Sequence, residues 1–353
     1  MATSAKPSDG HRFPWKWNLA DGFPAPGIAF NGLKVFGTFV CGGGSAMGYK
    51  LAGCDYLGGV EIDTKIGEVY RRNLQPKYFY NEDIRDFLAR DNYPDELREL
   101  DILDGSPPCT LFSLDRGKRR EDSWGKKKAF KEGQAEQTID DLVFVWCDLV
   151  NKLRPKVALM ENVEGLAKGN AKRYLLNVVD RLSGSGYTPQ VFVLDAQFMG
   201  VPQTRRRCFV IARRNDLNMP PLRLEFSEPI IPFRDIMDPT TEGYCSKFGM
   251  AMWKQRRYGD KSLSDVSERT RRRTSRFSVG YVYGHLPSPT LVTLEHYLFD
   301  IPRIMNERER ERESSHFSGG LRLHRRRHHF PDRHVCAAGY DCSNSARNSN
   351  ATF

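Results

Sequence analysis

The chain has 353 residues with 39% hydrophobic side chains, enough to bury a full core and to form one large domain and a smaller one, which excludes a miniature held together by staples. Its 8 cysteines include no paired C-x-x-C, which argues against a zinc site or a disulfide framework and for free thiols in a reducing compartment. The formal net charge of +10 points to an anionic partner such as nucleic acid, and the segment from Ser314 onward supplies only part of it, so the body of the chain is basic as well.

Met1 to Pro26 is polar and rich in Pro and Gly, with no apolar signal region, and no later run reaches membrane-spanning length; a soluble, cytoplasmic protein is expected. Leu33 to Val40 reads as a buried strand running into Cys41-Gly42-Gly43-Gly44-Ser45 and a helix to Ala52. A second strand, Leu57 to Val60, ends at Glu61. Strand, glycine turn, helix, strand and terminal acid open a nucleotide-binding α/β unit, although a tight connection explains the glycines equally well. A helix over Thr64 to Asn73 and a strand at Tyr78 to Tyr80 follow, leading into Asn81-Glu82-Asp83-Ile84.

The short apolar strand from Asp101 to Asp104 ends in Gly105-Ser106 and then Pro107-Pro108-Cys109. In open α/β sheets ligands sit outside the carboxyl ends of the strands, and two prolines stiffen the backbone ahead of the sulfur. Cys109 is therefore displayed as a nucleophile would be, with a buried structural cysteine as the competing reading. Leu114 to Gln137 is long and polar, carries Lys126-Lys127-Lys128, and reads as an active-site loop or a disordered stretch. Ile139, Leu142, Val143, Trp146, Leu149, Val150 and Leu153 recur at helical spacing, as core packing requires. A strand over Val157 to Met160 ends at Glu161-Asn162-Val163, and strands at Val191 to Leu194 and Phe209 to Ala212 bracket Gln203-Thr204-Arg205-Arg206-Arg207. The alternation predicts a doubly wound, mostly parallel sheet. From Asn215 to Thr293 scattered prolines, aromatics and charges predict a small irregular second domain.

Pro107-Pro108-Cys109, Glu161-Asn162-Val163 and Gln203-x-Arg205-x-Arg207, in that order behind a glycine turn, resemble the DNA cytosine-5 methyltransferases over roughly Leu33 to Glu309. The family's Phe-x-Gly-x-Gly-Gly turn is kept at Phe39, Gly43 and Gly44, with Cys41 at its first glycine. The resemblance implies a Rossmann-like, S-adenosylmethionine-dependent fold with a small target-recognition domain, and transfer of a methyl group to carbon 5 of a flipped-out cytosine in double-stranded DNA through a covalent Cys109 adduct. It assigns Glu161 to ring nitrogen 3 and the exocyclic amine, Arg207 to oxygen 2, and Arg205 to the neighbourhood of Cys109 and the base. Arg206, alternating to the other strand face, reads as a generic phosphate contact. The resemblance further implies that Phe39, Gly43, Gly44 and Pro107 line the cofactor pocket, with Glu61 on the ribose and Asp83 and Ile84 on the adenine edge. Lys126 and Lys127 on phosphates, and Arg271, Arg272 and Arg273 in the recognition domain, are the expected DNA contacts. No metal and no membrane are implied; the expected state is a monomer associated with the nucleoid when bound, and a cognate restriction enzyme is the partner the family admits. Two other readings remain open here: a related DNA-binding protein that has lost turnover, and an enzyme acting on tRNA cytosine.

By composition and motif the organisation expected is an N-terminal arm over 1–30, a catalytic domain over 31–214, a recognition domain over 215–293, a returning catalytic segment over 294–313 and a basic tail over 314–353. Arg303, Met305, Arg308 and Glu309 match the family's returning Arg-x-Leu-x-x-Arg-Glu helix, but the closing Phe-Pro and Gly-x-Ser-Val-Pro-Pro stretches are absent. Joining the last two bases of each codon to the first of the next lets Phe317 to Leu323 read Phe-Pro-Ala-Asp-Tyr-Asp-Phe and Arg333 to Gly339 read Gly-Met-Ser-Val-Pro-Pro-Val. A frameshift between about Arg310 and Phe317 is therefore expected, and third bases in the coding DNA that do not yield those words would refute it.

Overall fold

The computed structural model describes residues 22–25, 27–108, 141–169, 171–238, 247–271, 279–290, 296–306 and 309–310. In chain order the first elements are β1 (Lys34–Thr38), α1 (Gly44–Leu51), β2 (Asp55–Val60), α2 (Thr64–Leu74), β3 (Tyr78–Tyr80), α3 (Ile84–Ala89), α4 (Asp95–Arg98) and β4 (Ile102–Gly105). Then come α5 (Leu142–Leu153), β5 (Val157–Val163), α6 (Ala171–Gly184), β6 (Tyr187–Asp195), β7 (Gln203–Thr204) and β8 (Arg206–Arg214). The remainder holds α7 (Lys247–Trp253), α8 (Leu263–Arg271), β9 (Tyr281–Val282), β10 (Ser288–Pro289) and β11 (Tyr297–Leu298).

Seven strands form one sheet in the order β3-β2-β1-β4-β5-β8-β6. β1 to β5 are parallel, whereas β8 is antiparallel to both β5 and β6. The doubly wound, mostly parallel sheet is thus present, with one reversed strand inserted near its end, and the strand order reverses between β1 and β4, where open α/β sheets bind ligands outside the carboxyl ends of the strands. Strand periodicity explains the core: Leu103 of β4, Ala158 and Met160 of β5 and Cys208, Val210 and Ala212 of β8 project to one face, where Trp146, Leu149 and Val150 of α5 and Val178 and Leu182 of α6 cover them. Each fully buried apolar side chain of this kind is worth about 1.5–3 kcal/mol. Helix α2 starts where Asp63 accepts the Lys65 and Ile66 backbone N–H groups at 2.9 and 3.1 Å, a side-chain cap worth about 1 kcal/mol.

Two compact units emerge from the chain's contacts. One comprises Phe23–Asp195 and Arg206–Glu225; the other gathers Ala196–Arg205 with the described residues from Phe226 onward. The contacts divide the chain between Glu225 and Phe226, and the described residues 296–306 group with the second unit. The reason is local: Met305, Leu298 and Val282 share an apolar cluster with Ile231, Phe233 and Ile236, and β7 pairs with β10, which ties 203–204 to the same unit. The arm over 1–21 and the tail over 311–353 lie outside the described residues.

Candidate active site

The first part of the site is the turn between β1 and α1. Phe39, Cys41 and Gly43 all take left-handed backbone, with φ of 57°, 45° and 91°. Only glycine enters that region without steric cost, so Cys41 occupies a conformation that suits the glycine of the related motif and carries strain of its own. At Gly43 a Cβ would lie 2.2 Å from Leu74 Cδ1 and 2.7 Å from Tyr70 Cδ2, so α2 can close on the turn only because no side chain is there. At Gly42, by contrast, a Cβ would meet nothing within 4 Å, which leaves the backbone open to a ligand.

Glu61, at the end of β2, binds this turn from below. Its Oε2 accepts the Cys41 N–H at 2.8 Å and its Oε1 accepts the Asp63 N–H at 2.9 Å. Burial holds its carboxyl above the usual range against the lowering effect of those two bonds. Burial, with the charges of Glu61, Asp63 and Glu161, pushes the Cys41 thiol well above its ordinary value, so it stays protonated. Asp83 caps α3 by accepting the Arg85 N–H at 2.8 Å and forms a 3.0 Å ion pair with the Arg85 side chain; Ile84 is buried beside it.

The second part lies where β4 and β5 end and β8 begins. β5 pairs with β8 so that Val163 opposes Arg207 and Glu161 opposes Phe209. Glu161 and Arg207 therefore share a face one diagonal apart. Arg207 Nε stands 3.0 Å from Glu161 Oε1. Glu161 Oε2 accepts the Ser106 hydroxyl at 2.8 Å. Asn162 turns the other way and donates through Nδ2 to the Pro107 carbonyl at 3.2 Å, fixing the proline turn against β5. Glu161 is 6% exposed, a buried carboxylate aimed at the strand ends beside Pro107 and Pro108.

Arg206 points away, as the alternation requires, and pairs with Glu164 at 3.0 Å. Its expected role as a phosphate contact thus meets a carboxylate already in place. Arg205 is buried and belongs to the second unit, where its carbonyl accepts the Ala196 N–H at 3.0 Å. Cys109, Lys126, Lys127, Arg272 and Arg273 lie outside the described residues, and Arg271 is the last residue of α8. Among the described residues no group of three or more His, Cys, Asp or Glu could hold a metal ion, and no helix is long and apolar enough to cross a membrane.

Two residues that sequence reading passed over complete the site. Ser106 is the hydroxyl donor to Glu161. Asp104 is 4% exposed and accepts a hydrogen bond from Ser45 Oγ, just past the glycine turn. The signal for Asp104 was present, a charged residue inside the apolar strand Ile102–Gly105. Charged side chains are rarely buried without a purpose or a partner.

The sequence profile of the family described as C-5 cytosine-specific DNA methylase matches residues 33–321. Type II methyltransferase M.Sau96I of Staphylococcus aureus is 33% identical over 186 residues, which is 52% of this chain and 39% of that protein. Type II methyltransferase M.NaeI of Lentzea aerocolonigenes is 30% identical over 184 residues, 52% of this chain and 40% of that one. The chain spans about 40% of the length of these two relatives. Among solved structures, a mutant of Spodoptera frugiperda DNMT2 superposes with a TM-score of 0.59 at 16% identity, over 90% of this chain and 98% of that one, a likeness of fold.

Proposed function

Because the chain belongs to the C-5 cytosine-specific DNA methylase family, we propose that it methylates carbon 5 of cytosine in double-stranded DNA, with S-adenosylmethionine as donor. The observation that carries this reading is the buried Glu161 carboxylate, held by Ser106 and Arg207 at the strand end beside the Pro107-Pro108 turn that leads to Cys109. When bound, S-adenosylmethionine supplies an electrophilic methyl group on a sulfonium sulfur. The residues present fit it: the open backbone at Gly42, the left-handed Gly43 and the buried Glu61 make a cradle for a ligand with ribose hydroxyls and no phosphate. Phe39, Gly43, Gly44, Glu61, Asp83, Ile84 and Pro107 are the residues that hold it in this proposal.

Carbon 5 of cytosine is a poor nucleophile. The Cys109 thiolate adds to carbon 6, which makes carbon 5 an enamine carbon able to take the methyl group, and loss of the carbon 5 proton then expels the sulfur. Electron density moves toward ring nitrogen 3 during the addition, and a carboxyl group in Glu161's position shares a proton there. Arg207, paired with that carboxyl, contacts oxygen 2 of the base and faces the developing charge in this scheme, and Arg205 is assigned to the neighbourhood of Cys109 and the base. The target base must leave the duplex to meet both thiolate and donor. Lys126 and Lys127 hold phosphates in this scheme, Arg271, Arg272 and Arg273 contact the flanking duplex, and a cognate restriction endonuclease is the companion that the type II naming of the relatives implies.

Bisulfite sequencing of DNA from methylation-free cells expressing the full chain tests this directly. Cytosines protected in one fixed context, and unprotected when Cys109→Ala is expressed, are the expected result. Unprotected DNA in cells that contain the soluble protein would refute turnover and leave a DNA-binding protein of this fold.

A further inference from the structure

Asp104 is a buried titratable group beside the candidate site that the proposed chemistry leaves unused. It stands on β4 on the face opposite Leu103, away from the main core and toward α1. Its side chain accepts a hydrogen bond from Ser45 Oγ and is bonded by Tyr49, one helical turn further along α1. Its backbone carbonyl accepts the Thr38 hydroxyl at 3.1 Å. Among the described residues the groups that face it are Ser45 and Tyr49 from α1, Tyr70 from α2, Thr38 from β1 and Glu161 from β5. None of these is a cation.

Two opposed demands act on this carboxyl. Burial favours the neutral form, while the hydroxyl donors favour the ionised one. Burial prevails, with the charge of Glu161 adding to it, and the pKa of Asp104 is pushed up to about 7. Near neutrality the group is therefore poised, so a positive charge brought to the adjoining turn tips it. The donor named above is a sulfonium cation, whereas its demethylated product, a thioether, has lost that charge.

Resting on the reading of the β1–α1 turn as the cofactor site, we propose that Asp104 is the positioning residue through which this turn senses ligand charge, anchoring α1 through Ser45 and releasing its proton to solvent when the cationic donor binds. Ionised Asp104 grips Ser45 and Tyr49 with charge-assisted bonds and holds the first turn of α1 for the donor. The product, lacking the sulfonium charge, draws less proton release and leaves more readily.

Isothermal titration of the full chain with S-adenosylmethionine and with S-adenosylhomocysteine tests the inference without requiring turnover. If the competent state is the ionised one, donor affinity rises about tenfold between about pH 6 and pH 8, while product affinity changes by about twofold or less. In Asp104→Asn the donor's pH dependence flattens to about twofold or less. Ser45→Ala keeps the dependence but moves its midpoint to higher pH, because a donor that favours the ionised form is gone. This second variant decides the matter if Asp104→Asn does not fold. The same pH dependence in the wild type and Asp104→Asn, or for donor and product, or an unmoved midpoint in Ser45→Ala, would overturn the inference while leaving the cofactor site intact. Failure of the wild type to bind either ligand at any pH would instead overturn the cofactor site itself and, with it, the inference.

Discussion

Each unit of the molecule buries an arginine–glutamate pair, and the two pairs differ in how much of the carboxylate is occupied. In the second unit Glu309 Oε1 accepts from Arg303 Nη2 at 2.6 Å and from the Asp238 N–H at 2.9 Å. Its Oε2 accepts from Arg303 Nη1 at 2.7 Å and from the Asn306 N–H at 3.1 Å. A carboxylate has about four lone-pair sites, so this one is full. In the first unit Glu161 has one hydroxyl, from Ser106, and one ion contact, from Arg207. Among the described residues these two leave about half of its capacity unfilled, although it is 6% exposed. The saturated carboxylate serves as a staple, whereas the unsaturated one keeps lone pairs for a ligand, since a buried acceptor with spare lone pairs gains most from a ligand that fills them.

The comparison breaks if the two glutamates respond alike to neutral substitution. Glu161→Gln should lower methyl transfer by about 10²- to 10⁴-fold, as loss of a positioned proton-sharing group does, while the melting temperature moves less than in the matching Glu309 variant; transfer assays and thermal unfolding on the same preparations check both. Glu309→Gln should cost about 3–5 kcal/mol in denaturant unfolding, because Arg303 is left buried without its charge partner. Equal destabilisation by the two substitutions would remove the distinction.

The pH dependence of stability sharpens it for a third acid. Asp104 has its pKa raised to about 7, so between the ordinary carboxylate value of ~4 and pH ~7 the folded state holds a proton that the unfolded state has lost. Stability from this group is therefore complete at low pH and declines as pH rises through that window. Asp104→Asn removes the decline, and its stability relative to the wild type should improve by roughly 2 kcal/mol between about pH 5 and pH 7. The smallest effect belongs to Cys41, at φ 45°: Cys41→Gly should stabilise by about 1 kcal/mol at neutral pH by relieving left-handed strain, measured by chemical denaturation.

Much of the fold was legible because its signals are local. The helix read over Thr64 to Asn73 is α2, Thr64–Leu74, and the apolar spacing of Leu142, Val143, Trp146, Leu149, Val150 and Leu153 is the buried face of α5. Some strands run past their apolar core, as with Val157–Val163, where Glu161 and Asn162 continue the ladder after the apolar run stops, whereas the strand read over Leu33 to Val40 is shorter, Lys34–Thr38. The second unit was harder to read. Its strands are two residues long and its clusters gather from Ile231 to Met305, so no periodicity in any one stretch announces them.

For the candidate site the division is similar. Glu161, Arg207, the glycine turn and Glu61 carry recognisable residue types at strand ends, and the sequence determined those positions through turn chemistry and hydrophobic pattern, which depend on neighbours a few residues away. Only the tertiary structure decided what each carboxylate touches. Ser106 and Glu161 are 55 residues apart, Ser45 and Asp104 are 59 apart, and Cys41 and Glu61 are 20 apart. Sheet register brings such residues together, and a slip of one residue would turn each side chain to the opposite face. The charge environment of a buried acid is therefore a property of strand pairing and burial, which no local pattern encodes.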